Sequence, residues 1–70
     1  MTTIRCNGDR REVPDGATVA SLVAELAPGA PRGTAVAVDG EVVRRGDWAT
    51  TVLQPGADIE VLRAVQGGSR

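Results

Sequence analysis

Seventy residues, 41% of them hydrophobic and 24% charged, describe one small domain with a modest core rather than a disordered chain. All eight basic residues are Arg, nine acids nearly balance them to a net charge of −1, and Trp48 is the sole aromatic, so neither a basic footprint nor a base-stacking platform for nucleic acid is present. Without His, and with Cys6 as the one cysteine, Ser-His pairs, Cys-His pairs and intrachain disulfides are all excluded, which points away from an enzyme acting alone.

Residues 2–7 alternate, Ile4 and Cys6 on one face and Thr3 and Arg5 on the other, which predicts a half-buried strand. Cys6 in register with Ile4 reads as a small core hydrophobe. Asn7-Gly8 is a hairpin signal, because both residues tolerate positive φ. Residues 10–13 form the return strand, which Pro14-Asp15-Gly16 stops. Thr18 is an N-cap for the helix that follows. Val19, Leu22, Val23 and Leu26 recur at helical spacing, and Pro28 with Gly29 ends the helix near Ala27. Burying those four side chains is worth roughly 6–12 kcal/mol gross, and so short a helix must pack on a sheet to persist.

After a loop over 28–33, residues 34–38 predict a strand whose small residues on both sides suit a covered, interior position. Asp39-Gly40 turns it into a second hairpin partner over 41–43. Arg44 to Asp47 turns again, with Asp47 expected to cap one helical turn over 48–51 and Trp48 to lid the edge of the core. The pairs Arg10-Arg11 and Arg44-Arg45 read as solvated turn residues. Gln54-Pro55-Gly56 is a further turn, and residues 58–64 form the last strand, Ile59, Val61 and Arg63 facing one way and Glu60, Leu62 and Ala64 the other. If Ile59 and Val61 join the core, Leu62 stands on the outer face, where with Ala64 it is a candidate docking patch. The alternative for Leu62 is an ordinary exposed side chain.

The chain then runs Val65, Gln66, Gly67, Gly68, Ser69 and Arg70. A Gly-Gly pair enters slots that other residues cannot, so this tail is either a loose terminus or a handle offered to a partner enzyme. The expected organisation is a domain over 1–64 and a flexible tail over 65–70. Two hairpins around one helix, with a last strand to place, predict an α+β fold: a mixed sheet of four to five strands covered on one face by one helix. A lone thiol, no signal-peptide pattern and no apolar run of membrane-spanning length predict a cytoplasmic protein with no membrane partner.

This order, ending in Gly-Gly, resembles the ubiquitin-like β-grasp proteins. The segments Ile4-Arg5-Cys6-Asn7-Gly8, Pro14-Asp15-Gly16-Ala17-Thr18-Val19, Ala35-Val36-Ala37-Val38-Asp39-Gly40-Glu41-Val42-Val43 and Trp48 are similar to those of the ThiS family of sulfur carriers in thiamine (thiazole) biosynthesis. So is the ending Ile59-Glu60-Val61-Leu62-Arg63-Ala64-Val65-Gln66-Gly67-Gly68, whose residues 64–68 are the most specific part. The resemblance implies no catalytic residue, metal or bound cofactor in this chain. It implies instead a Gly68 carboxylate that a ThiF-type adenylyltransferase activates with ATP and that becomes a thiocarboxylate, from which a ThiG-type thiazole synthase takes sulfur. Four extended residues, 65–68, reach about 13 Å, enough to enter a partner's active site. The sequence departs from the family by continuing into Ser69-Arg70, which denies Gly68 a free carboxylate until a peptidase removes them. Alternatives are a MoaD-like small subunit of molybdopterin synthase, a carrier for another sulfur pathway, and a non-catalytic ubiquitin-like interaction module.

Overall fold

The computed structural model describes residues 1–29 and 32–62. Five strands form one mixed sheet: β1 (Thr2–Cys6), β2 (Asp9–Val13), β3 (Ala35–Val38), β4 (Glu41–Val43) and β5 (Asp58–Leu62). One α-helix, α1 (Val19–Leu26), follows the first hairpin, and a 3-10 helix (Arg45–Thr50) follows the second. The sheet order is β2-β1-β5-β3-β4. Both hairpins are antiparallel, β5 runs antiparallel to β3, and β5 pairs parallel with β1 through Arg5↔Asp58 and Cys6↔Ile59. This is the ubiquitin-like β-grasp arrangement that the element order predicts.

Each hairpin turns as a type I′ pair, Asn7 and Gly8 at φ 51 and 87 and Asp39 and Gly40 at φ 51 and 86. Such turns match the right-handed strand twist, and Asn and Asp accept the left-handed region better than other side-chain-bearing residues. The core is one cluster in which Val19, Leu22 and Val23 of α1 meet Ile4, Cys6, Val13, Val36, Ile59 and Val61 of the sheet. Leu26, at the helix end, is only partly buried against it.

Thr18 caps α1 through a reciprocal pair: the Ser21 amide donates to Thr18 Oγ1 at 3.2 Å and the Thr18 amide to Ser21 Oγ at 3.0 Å. The Val19 amide then donates to the Thr51 carbonyl and the Leu53 amide to the Ala17 carbonyl, which ties the helix start to the segment after the 3-10 helix.

Three local expectations are corrected. β3 does lie inside the sheet, between β5 and β4, but only Val36 is fully buried and Ala35 is exposed, because a single helix covers only one face. The 3-10 helix begins at Arg45 with Arg44 in the cap position, so Asp47 lies within it and contributes its backbone: the Asp47 amide donates to the Arg44 carbonyl, and the Thr50 and Thr51 hydroxyls donate to the Asp47 carbonyl. Arg11 and Arg45 are not merely solvated. Arg11 pairs with Glu25 on α1, and the Arg45 guanidinium lies 4.7 Å from the centre of the Trp48 ring. Trp48 itself is buried, 5% exposed, with its indole N–H donating to the Val43 carbonyl at 2.9 Å.

Candidate functional site: the outer sheet face and the end of the central strand

Alternation along β5 sends Ile59 and Val61 into the core and leaves Glu60 and Leu62 on the open face. Leu62 is 62% exposed and lies opposite Ala35 of β3, also exposed. One row along, Glu60, Ala37 and Val42 pair across β5, β3 and β4, with Val42 77% exposed. The open face at this end therefore presents apolar groups around Leu62 with a carboxylate among them. Leu62 stands where the sequence places it. The other residues singled out there, Ala64, Val65, Gln66, Gly67 and Gly68, lie outside the described residues, as do Arg63, Ser69 and Arg70.

The placement of Leu62 depends on how β5 is held. Being the middle strand, it is laddered to β3 over four residue pairs but to β1 over only two. Side chains from the two hairpin turns extend these ladders. At the start of β5 the Asp58 amide donates to Asp39 Oδ1 at 2.9 Å. Near its end the Val61 amide donates to Asn7 Oδ1 at 2.9 Å, and Asn7 Nδ2 donates to the Val61 carbonyl at 3.4 Å. In the sequence Asn7 reads only as a turn residue; its second use depends on which strand the fold brings alongside, which local pattern does not carry.

Elsewhere the surface offers little chemistry. An open cleft of about 220 Å³ is lined by Thr3, Ile4, Arg5, Arg10 and Gly56, with Arg5 and Arg10 directly paired across β1 and β2. Cys6 is buried, and desolvation raises its thiol pKa, with Arg11 opposing and Asp9 reinforcing the shift. Among the described residues no group of three or more His, Cys, Asp or Glu is placed to hold a metal ion, and no helix is long and apolar enough to cross a membrane.

Comparison with known proteins adds to this geometry. The ThiS family model matches residues 3–68. A crystal structure of a thiamine biosynthesis protein (ThiS) from Geobacter metallireducens is similar with a TM-score of 0.77 and 25% identity, over 96% of this chain and 100% of that one. An NMR solution structure of a thiamine biosynthesis protein from the same organism has a TM-score of 0.75, at 23% identity over 99% of this chain and 91% of the other, a likeness of fold. No curated protein matches the chain.

Proposed function

The chain belongs to the ThiS family, and from that premise we propose that it is a sulfur carrier of thiamine (thiazole) biosynthesis whose reactive group is the Gly68 carboxylate. The observation that carries the proposal is the extent of the family match, which runs to Gly68 and leaves only Ser69 and Arg70 beyond it. In this reading a peptidase first removes Ser69-Arg70, because Gly68 in a peptide bond has no carboxylate to activate. A carboxylate is a poor electrophile until one of its oxygens becomes part of a good leaving group. A ThiF-type adenylyltransferase supplies that step: the Gly68 carboxylate attacks the α-phosphorus of ATP, pyrophosphate leaves, and an acyl adenylate forms. Attack by a sulfur donor then displaces AMP and yields the thiocarboxylate, which a ThiG-type thiazole synthase consumes. The chain is a cosubstrate in these steps, not the catalyst.

The body contributes docking and reach. Leu62 offers an apolar anchor on the open sheet face, and Ala64, two residues on in the sequence, is the second residue assigned to docking. Val65, Gln66, Gly67 and Gly68 form the portion that enters the partner, with no side chains on the last two to obstruct closure. Thiamine biosynthesis is preferred over the other sulfur pathways because the ThiS family model covers residues 3–68 and a similar crystal structure, 25% identical, is of a thiamine biosynthesis protein.

The test is the intact mass of a chain ending at Gly68 after incubation with a ThiF-type enzyme, ATP and a sulfur donor. Exchange of one carboxylate oxygen for sulfur at Gly68 is the expected result, with the chain that retains Ser69-Arg70 unreactive. A mass left unchanged in the trimmed chain overturns the reading.

A further inference from the structure

We propose that Asn7 is a positioning residue for the reactive tail: its side-chain amide takes over where the β1 backbone stops pairing and holds the end of β5 in line. This rests on the carrier reading of Gly68 and assigns the role to a residue that lies outside the tail.

 The role acts through the strand: Asn7 touches Val61, and Val61 precedes Gly68 by seven residues in the same chain.

In a parallel ladder every second residue of one strand bonds the two residues that flank its partner on the other. Asn7 meets half of that requirement with its backbone, its amide donating to the Ile59 carbonyl at 2.9 Å. The other half needs the Asn7 carbonyl to receive the Val61 amide. Asn7 is the first residue of the type I′ turn, at φ 51, and its chain has already turned away from the ladder. The side chain substitutes: Oδ1 accepts from the Val61 amide at 2.9 Å, and Nδ2 donates to the Val61 carbonyl at 3.4 Å.

The second hairpin provides a control within the molecule. Asp39 occupies the same turn position at φ 51, and its amide donates to the Asp58 carbonyl at 2.8 Å. There only an acceptor is missing, for the Asp58 amide, and a carboxylate supplies it. At Val61 an acceptor and a donor are both in use, and the residue is an amide. Turn geometry alone accepts Asn, Asp or Gly, so the side-chain chemistry follows the demand of β5 rather than of the turn.

The experiment uses Asn7→Gly, which keeps the turn and removes the amide, and Asn7→Asp, which keeps only the acceptor. Hydrogen exchange is measured on the full chain. Adenylation is measured by ATP–pyrophosphate exchange with a ThiF-type enzyme on chains ending at Gly68, a trim that removes none of the contacts described within residues 1–62. In N7G the Val61 amide is expected to lose protection at least tenfold while amides of the β1–β2 ladder keep theirs. The kcat of adenylation should fall roughly ten- to a hundredfold, as for a misplaced reacting group, with KM for the carrier unchanged because Leu62 keeps its own pairing with Ala35 of β3. N7D should fall between N7G and the wild type in both readouts. A merely structural role for Asn7 would lower the melting temperature without a selective loss at Val61 or a change in kcat for the folded variant. Wild-type kcat in N7G, or a Val61 amide still protected there, overturns the proposal alone. No exchange with the trimmed wild-type chain overturns the carrier reading, and this proposal with it.

Discussion

Asp15 shows how one exposed carboxylate makes stability depend on pH. The Thr2 hydroxyl donates to it at 2.8 Å and the Met1 amino group lies 3.2 Å away; the hydrogen bond from Thr2, then the hydrogen bond and charge of the amino group, lower its pKa. A folded-state pKa below the unfolded one means that the contribution is present above the unfolded carboxylate value of about 4 and is lost as pH falls through the folded value. Urea midpoints of the wild type and Asp15→Asn should therefore differ at pH 7 and converge on acidification; a gap independent of pH would refute this. Cys6, 7% exposed and with its thiol pKa raised, should alkylate far more slowly in the folded chain than in urea. Trp48 combines burial with an indole N–H bond to Val43, so Trp48→Phe should cost about 1–3 kcal/mol by orphaning that carbonyl. Its measurement by circular dichroism avoids reliance on the deleted fluorophore.

At the scale of elements, α1 depends on both its cap and its buried stripe. The Thr18–Ser21 box satisfies amides that the first helical turn leaves without partners. Thr18→Ala should cost about 1 kcal/mol, read as a melting temperature lower by about 4–8 °C for a domain of this size. The cap residue is legible in the sequence, but the reciprocal partner is not, since the common pattern places Glu or Gln where this chain has Ser21. Ile59 is 0% exposed at the middle of the sheet, where β1 and β3 both pair with β5. Ile59→Ala should cost about 2–5 kcal/mol, a large share of the stability available to a domain this small, and denaturant titration checks it.

The whole molecule divides its sheet between two tasks. One face is spent on the core beneath α1, and among the described residues no second layer covers the other. Leu62 on that open face should tolerate Leu62→Glu within about 0.5 kcal/mol of stability, while capture by a ThiF-type enzyme weakens through a higher KM with kcat preserved. That pattern is the converse of the one expected for Asn7→Gly, so the two substitutions separate docking from delivery. A loss of kcat at unchanged KM in L62E would place Leu62 outside the docking surface.

The amino-acid order by itself determined most of the architecture. Two type I′ signals, one helical stripe and a period-two final strand are local features, and local sterics and side-chain periodicity suffice to read them. They also put Leu62 on the outer face, because alternation leaves it nowhere else once Ile59 and Val61 are buried. Only the tertiary structure decided which strands flank β5, that β3 keeps one bare face, and that Arg11, Arg45 and Asn7 have partners. Glu25, Trp48 and Val61 lie 14, 3 and 54 positions from them respectively. The contacts of Arg11 and Asn7 exist only after chain closure brings distant segments together, and no periodicity encodes such a meeting; Arg45 meets Trp48 because the segment winds as a 3-10 helix instead of a cap on Asp47.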